Sequence, residues 1–180
     1  SKTNPHITKL NQRSLFDEKL SIEITDAFSF LTNNTTPFDL IISDLPDPNN
    51  TALARLYSKQ FYKLVRKNLS PQGKFITQAT SPYFAKKAFW SIEKTLKAGG
   101  VEHTYPYTLA IPSFGQWGYI IAAQNTLDLS NPSQIADTRF LSGTNFPKLF
   151  VFDKDLVTDD VGINELDNPI LLGYYLKGWR

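Results

Sequence analysis

Phe38-Asp39-Leu40-Ile41-Ile42-Ser43-Asp44-Leu45-Pro46-Asp47-Pro48-Asn49-Asn50 is the stretch on which the fold turns. Its first part, 38–42, is a nearly continuous apolar run, the pattern of a strand buried on both faces of a parallel sheet. The run stops at Ser43-Asp44 and gives way to a loop in which two carboxylates stand three residues apart. A proline follows each aspartate within two residues. Proline fixes φ and restricts the residue before it, so this loop is expected to be stiff and to hold Asp44 and Asp47 in a set geometry.

Working outward, short strands alternate with amphipathic helices from about residue 21 to 124. Upstream, 21–24 reads as a short strand ending at Asp26, 27–31 as a helix, and 32–37 as a polar turn. Downstream, Leu53, Leu56, Tyr57, Phe61, Leu64 and Val65 fall at helical spacing and predict one long helix over 52–69. Tyr57, Phe61 and Tyr62 are read as core. Pro71-Gln72-Gly73 marks a turn and 74–78 a strand. Ser81 is placed as an N-cap with Pro82 at the first helical position. Ala85, Ala88, Phe89, Ile92 and Leu96 then repeat at helical spacing up to a stop at Gly99-Gly100. Two strands follow, 102–110 and 118–123, joined by Pro112-Ser113-Phe114-Gly115-Gln116-Trp117. They are too close for a helical crossover and should be antiparallel. The expected fold is α/β, an open Rossmann-like sheet with helices on both faces and an antiparallel last strand. Residues 1–125 form this domain. Residues 126–180 form a turn-rich extension with an aromatic end (Tyr174, Tyr175, Trp179), expected to pack on the sheet's outer helices or on a neighbouring chain.

Composition narrows the functions. The 180 residues are 41% hydrophobic and 20% charged, the balance of a globular protein. Lys and Arg number 19 against 17 Asp and Glu, a net charge of +2, too little for a protein that lives on phosphate contacts, so no nucleic-acid partner is expected. With no cysteine, disulfides, thiolate metal sites and cysteine nucleophiles are excluded. The two histidines, His6 and His103, are far apart, and no metal site is expected. No apolar run approaches the roughly 20 residues of a membrane span, so the chain is expected to be soluble. Asn34-Thr35-Thr36 and Asn49-Asn50-Thr51 match glycosylation acceptors but read as turn chemistry without a secretory signal.

Ligands of open α/β sheets sit outside the carboxyl ends of the strands. Three such ends carry polar residues here: Asp26, Asp44 with Asp47, and Gln78. Each has a plainer reading alone. An aspartate after a strand caps the next helix, a glutamine can be a satisfied strand-end amide, and Phe114 and Trp117 can be packing residues.

Taken in order, the motifs resemble the polyamine aminopropyltransferases, the spermidine synthase family. The loop 38–50 resembles that family's active-site strand and loop. Leu56-Tyr57-Ser58-Lys59-Gln60-Phe61-Tyr62 resembles the helix after it, Gly73-Lys74-Phe75-Ile76-Thr77-Gln78 the next strand, and Pro112-Ser113-Phe114-Gly115-Gln116-Trp117-Gly118 the substrate-side loop. The likeness covers about residues 4–123 and is nearest to a bacterial branch with the Asp-Leu-Pro-Asp-Pro-Asn-Asn form, many of whose members carry an N-terminal membrane region. It implies a sheet of the kind found in S-adenosylmethionine-dependent methyltransferases. It also implies Asp44 as general base for the attacking amine and Asp47 as holder of an acceptor amino group. Gln78, Phe114 and Trp117 would line the acceptor channel, and Asp26 with Ala27 would meet the adenine of decarboxylated S-adenosylmethionine. That molecule is a co-substrate, and no tightly bound cofactor is implied. The resemblance further implies a polyamine partner such as putrescine, self-association into an oligomer, and action in the cytoplasm, at the inner membrane for the membrane-anchored members.

The residue types suit that chemistry. An alkylammonium titrates near ~10.4, so little of it is nucleophilic at neutral pH. A carboxylate in a desolvated site can take the proton, a second can anchor a cationic end, and aromatic walls favour cations at their faces. The leaving group is a neutral thioether, and the displacement calls for no metal. A complete enzyme of this family opens its cofactor domain with a glycine-rich turn and an acidic residue on the following strand. The first glycine here is Gly73. The expectation is therefore a sheet without its first strands, and a 180-residue chain inactive alone. A non-catalytic polyamine-binding or assembly module, or another S-adenosylmethionine-dependent transferase, stand as alternatives.

Overall fold

The computed structural model describes residues 3–130, 138 and 140–179. Among these residues, six α-helices and four strands follow in the order α1 (Pro5–Leu10), α2 (Ala27–Asn33), β1 (Phe38–Ser43), α3 (Thr51–Ala54), α4 (Lys59–Asn68), β2 (Leu69–Gln78), α5 (Lys86–Ala98), β3 (His103–Ile111), β4 (Gly115–Ala123) and α6 (Ile170–Gly178). The strands form one mixed sheet in the order β1-β2-β4-β3. β1 and β2 run parallel, whereas β4 is antiparallel to both its neighbours, as the short β3–β4 connection demands. This is the expected α/β class.

Four local expectations are corrected. Residues 21–24 are extended and exposed but join no strand, with Ile24 97% exposed, because no ladder partner lies beside them among the described residues. β1 is an edge strand rather than one buried on both faces. Ile41 packs on the core while Leu40 and Ile42, on the other side of this edge strand, remain exposed. The single helix over 52–69 is broken. α3 passes into a 3₁₀ turn, Arg55–Tyr57, and Ser58 then leaves the helical region. The Ser58 hydroxyl accepts from Phe61 N, and Lys59 N donates to Asn164 O instead of continuing the helix, so Ser58 caps a new helix. Lastly, Ser81 does not cap α5. Its hydroxyl accepts from Tyr83 N and Phe84 N in a turn, and α5 begins after Ala85.

Pro71-Gln72-Gly73 falls inside an irregular β2, which pairs Leu69 with Phe38 and then Lys74 with Leu40. α5 stops as expected at Gly99-Gly100, with Gly100 at a φ of 95° that a side chain would resist.

One face of the sheet, carrying Phe75, Thr77, Ile120 and Ala122, is buried under α4 and α5. Tyr62 and Val65 from α4 and Phe89, Ile92 and Leu96 from α5 fill the space between and are at most 1% exposed. Each large apolar side chain so buried contributes about 1.5–3 kcal/mol. The residues after 140 run back along α5. Trp90 Nε1 donates to Leu156 O at 2.7 Å, Ser91 Oγ to Gly162 O at 2.9 Å and Lys94 Nζ to Val161 O at 2.6 Å. Residues 131–137 and 139 of the turn-rich extension lie outside the described residues. α6 packs on α5, with Leu171 in the core and Phe84 stacked on Trp179 at 4.8 Å.

Candidate active site

The parallel register sets Ser43 beside Thr77, so the chain leaving β1 and the end of β2 emerge at the same edge of the sheet. Gln78 closes β2 opposite Tyr119 of β4. The turn joining β3 to β4 adds Phe114 and the start of β4 adds Trp117, whose rings lie 5.4 Å apart. Asp44, Asp47, Gln78, Phe114, Trp117 and Tyr175 thereby line one hollow of about 440 Å³. Five positions singled out in the sequence meet there.

Gln78 organises the hollow. Its Oε1 accepts from Thr80 N at 2.8 Å and Trp117 Nε1 at 3.1 Å, which fixes the orientation of its amide. Its Nε2 lies 2.9 Å from Leu45 O, 3.1 Å from Asp47 Oδ1 and 2.7 Å from the Tyr57 hydroxyl. Tyr57 donates in turn to Pro46 O at 3.0 Å. Burial first, and then the Asp47 charge, push the Tyr57 phenol far above its ordinary range, so it remains a donor that clamps the aspartate loop. Thr80 sits at φ 61°, a strained region for a β-branched residue, costing roughly 1–3 kcal/mol. It is held by Gly118 N donating to Thr80 O at 2.7 Å, and its hydroxyl reaches Asp47 Oδ2 at 3.4 Å.

The two carboxylates differ. Asp47 is partly buried and bonded by Gln78, Thr80 and Tyr175. Asp44 is exposed and makes no hydrogen bond or ion pair among the described residues. Its charge is felt by Tyr119, whose phenol is raised by burial and then by Asp44. Asp44 also lines a second hollow, more apolar and of about 420 Å³, with Ala27, Phe30 and Ile42. It thus stands between two cavities, one walled by aromatic and polar groups and one by mostly apolar side chains, phenylalanines among them.

Asp26 lies in neither. It caps α2, accepting from Ser29 N at 3.0 Å, and pairs with Arg55. The Ser29 N–H, and after it the Arg55 guanidinium, hold its carboxyl below the ordinary value. Ala27, the next residue, does face the second hollow. Sequence reasoning missed Thr80, Tyr119 and Tyr175 and gave Tyr57 a core role only. Tyr57 is indeed fully buried, but its hydroxyl belongs to the site. Tyr119 could have been found, because it pairs with Gln78 on the strand after the Phe114 turn. Among the described residues there is no group of three or more metal-binding side chains, and no helix long and apolar enough to cross a membrane.

Comparison with known proteins accords with this geometry. A family model of the spermine/spermidine synthase domain matches residues 5–132. The chain is 38% identical to a polyamine aminopropyltransferase of Oceanobacillus iheyensis, over 98% of its own length and 35% of the relative's. It is 36% identical to polyamine aminopropyltransferase 2 of Ralstonia nicotianae, over 97% of its length and 34% of that protein's. The chain therefore spans about a third of the curated relatives it matches. The fold superposes on a spermidine synthase solved with the transition-state analogue AdoDATO at a TM-score of 0.70 and 16% identity, covering 85% of this chain and 57% of that one. Spermidine synthase from Thermotoga maritima gives 0.67 at 16% identity, covering 84% of this chain and 53% of that one. With a family model covering most of its length and relatives above one-third identity, the chain belongs to the spermine/spermidine synthase family.

Proposed function

We propose that this chain supplies the amine-acceptor side of an aminopropyltransferase, which moves an aminopropyl group from decarboxylated S-adenosylmethionine to a polyamine such as putrescine. The observation that carries the reading is the position of Asp44. It lines both hollows, with Asp47 three residues on in the one walled by Gln78, Phe114 and Trp117. In this reading the acceptor's methylenes lie against Phe114 and Trp117, and its far ammonium is held by Asp47, whose carboxylate the Gln78 amide orients. The donor occupies the apolar side, where Ala27 lies. Asp44 takes a proton from the reacting ammonium. The freed amine nitrogen attacks the carbon beside the sulfonium, the carbon–sulfur bond breaks, and its electron pair stays on sulfur as a neutral thioether. The proton then passes from Asp44 to water. Alignment of nitrogen, carbon and sulfur supplies much of the rate. Asp26, engaged as a cap and paired with Arg55, is assigned to hold the start of α2 beside that donor side rather than to do chemistry.

The test uses the protein as its gene encodes it, with decarboxylated S-adenosylmethionine and putrescine, and measures thioether release by chromatography. Asp44→Asn should lower kcat by roughly 10²–10⁴ with a small change in acceptor KM. Asp47→Asn should raise acceptor KM instead. Turnover by Asp44→Asn at the unaltered rate would overturn the reading. Putrescine binding by calorimetry without any product would replace it with a non-catalytic polyamine module.

A further inference from the structure

The wall of the acceptor hollow farthest away in the chain is Tyr175 of α6, whose hydroxyl donates to Asp47 Oδ2 at 3.0 Å. Consecutive tyrosines on this helix face different ways, as the helical period requires. The Tyr174 hydroxyl accepts from Gly162 N at 3.2 Å, and its ring lies under Lys87 at 6.0 Å, away from the hollow. The Tyr175 ring lies 6.1 Å from Trp179, which lies 6.2 Å from Trp117, so α6 and the residue that ends it extend the aromatic wall begun by Phe114 and Trp117.

An ionised carboxylate offers about four acceptor places. On Asp47, Gln78 takes one on Oδ1, while Thr80 and Tyr175 take two on Oδ2. One place remains for an incoming ammonium. Thr80 is the weak member at 3.4 Å, so Tyr175 is the main brake on rotation of Oδ2.

We propose that Tyr175 is a positioning residue of the acceptor site, orienting the Asp47 carboxylate so that its one open place meets the amine, and that α6 thereby sets acceptor affinity. The inference rests on the aminopropyltransferase reading above. Burial, and then the Asp47 charge, raise the Tyr175 phenol to about 12, so it remains a donor at any working pH. Loss of its hydroxyl frees the carboxylate to swing and opens a second acceptor place to water.

The experiment compares Tyr175→Phe with Tyr174→Phe in the protein as its gene encodes it, with putrescine and spermidine as acceptors. Tyr175→Phe keeps the ring and should raise acceptor KM roughly tenfold, about 1.4 kcal/mol, with kcat within about twofold and donor KM unchanged. Tyr174→Phe, one residue away on the same helix, should leave acceptor KM in place. An unchanged acceptor KM in Tyr175→Phe overturns the assignment, as does an equal rise in Tyr174→Phe, which would trace the effect to helix packing. If the unaltered protein forms no thioether with either amine, the aminopropyltransferase reading falls and takes this assignment with it. If it turns over and only the Tyr175→Phe result fails, the reading stands without it.

Discussion

Asn164 joins the C-terminal segment to the rest of the chain, and replacing it with alanine should loosen α6 by a calculable amount. The residue is fully buried. Its Nδ2 donates to Ala54 O at 2.9 Å, and its Oδ1 accepts from Leu171 N at 3.3 Å. The second contact serves one of the first N–H groups of α6, which begins after Pro169 with no side-chain cap of its own. Asn164→Ala leaves two buried backbone groups, on Ala54 and Leu171, without these partners. Each such loss costs about 1–3 kcal/mol, and the longer contact belongs at the low end, so the sum is about 3 kcal/mol. At 1.4 kcal/mol per factor of ten, the opening equilibrium of α6 should rise roughly 100-fold. Hydrogen exchange read by mass spectrometry on peptides spanning 166–179 measures this directly, because local opening is resolved by segment. Peptides from α4 should change far less. Protection of α6 within about threefold of the unaltered protein would refute the reasoning, since the helix would then be held by its packing on α5 alone.

Two further outcomes follow from the same geometry. A Cβ added at Gly118 would lie 2.7 Å from Thr80 O and closer still to the Phe89 ring, so Gly118→Ala should cost about 1–3 kcal/mol and lower Tm by roughly 2–12 °C in calorimetry. An unchanged Tm would mean that the Thr80 turn yields freely. Asp26, depressed below its ordinary 3.8 by the Ser29 N–H and then by Arg55, stabilises the start of α2 above that value and loses the effect as pH falls through its folded value. Protection of the Ser29 amide should therefore drop below about pH 4 and, since the pair is exposed, be weakened by salt at higher pH. Protection that holds steady down to pH 2 would dissociate the cap from the carboxylate.

The order of strands and helices from residue 27 to 123 was legible because apolar period and turn residues agree there. The spacing of β3 and β4 alone dictates their antiparallel pairing. The loop carrying Asp44 and Asp47 was legible for a similar reason: a strand end followed by prolines admits few conformations. Three features escaped. Burial of β1 was overstated because an apolar run reports that Leu40 and Ile42 favour cover, not whether a layer is present to provide it. The break at Ser58 was hidden because Leu53 to Val65 keep helical spacing across it. Only the distant Asn164 carbonyl reveals why the backbone turns aside. Tyr175 escaped most completely, since a tyrosine in a turn-rich segment has no local pattern tying it to an aspartate.

The Asp47–Tyr175 bond joins positions 128 residues apart. At about 5–20 residues per second of synthesis, Asp47 is added to the growing chain some 6–25 s before Tyr175. Until Tyr175 arrives, Gln78 and Thr80 are the side chains of this set on hand to bond the Asp47 carboxylate. Any message cut short upstream of the Tyr175 codon would release a polypeptide that has both aspartates and no tyrosine to orient the second.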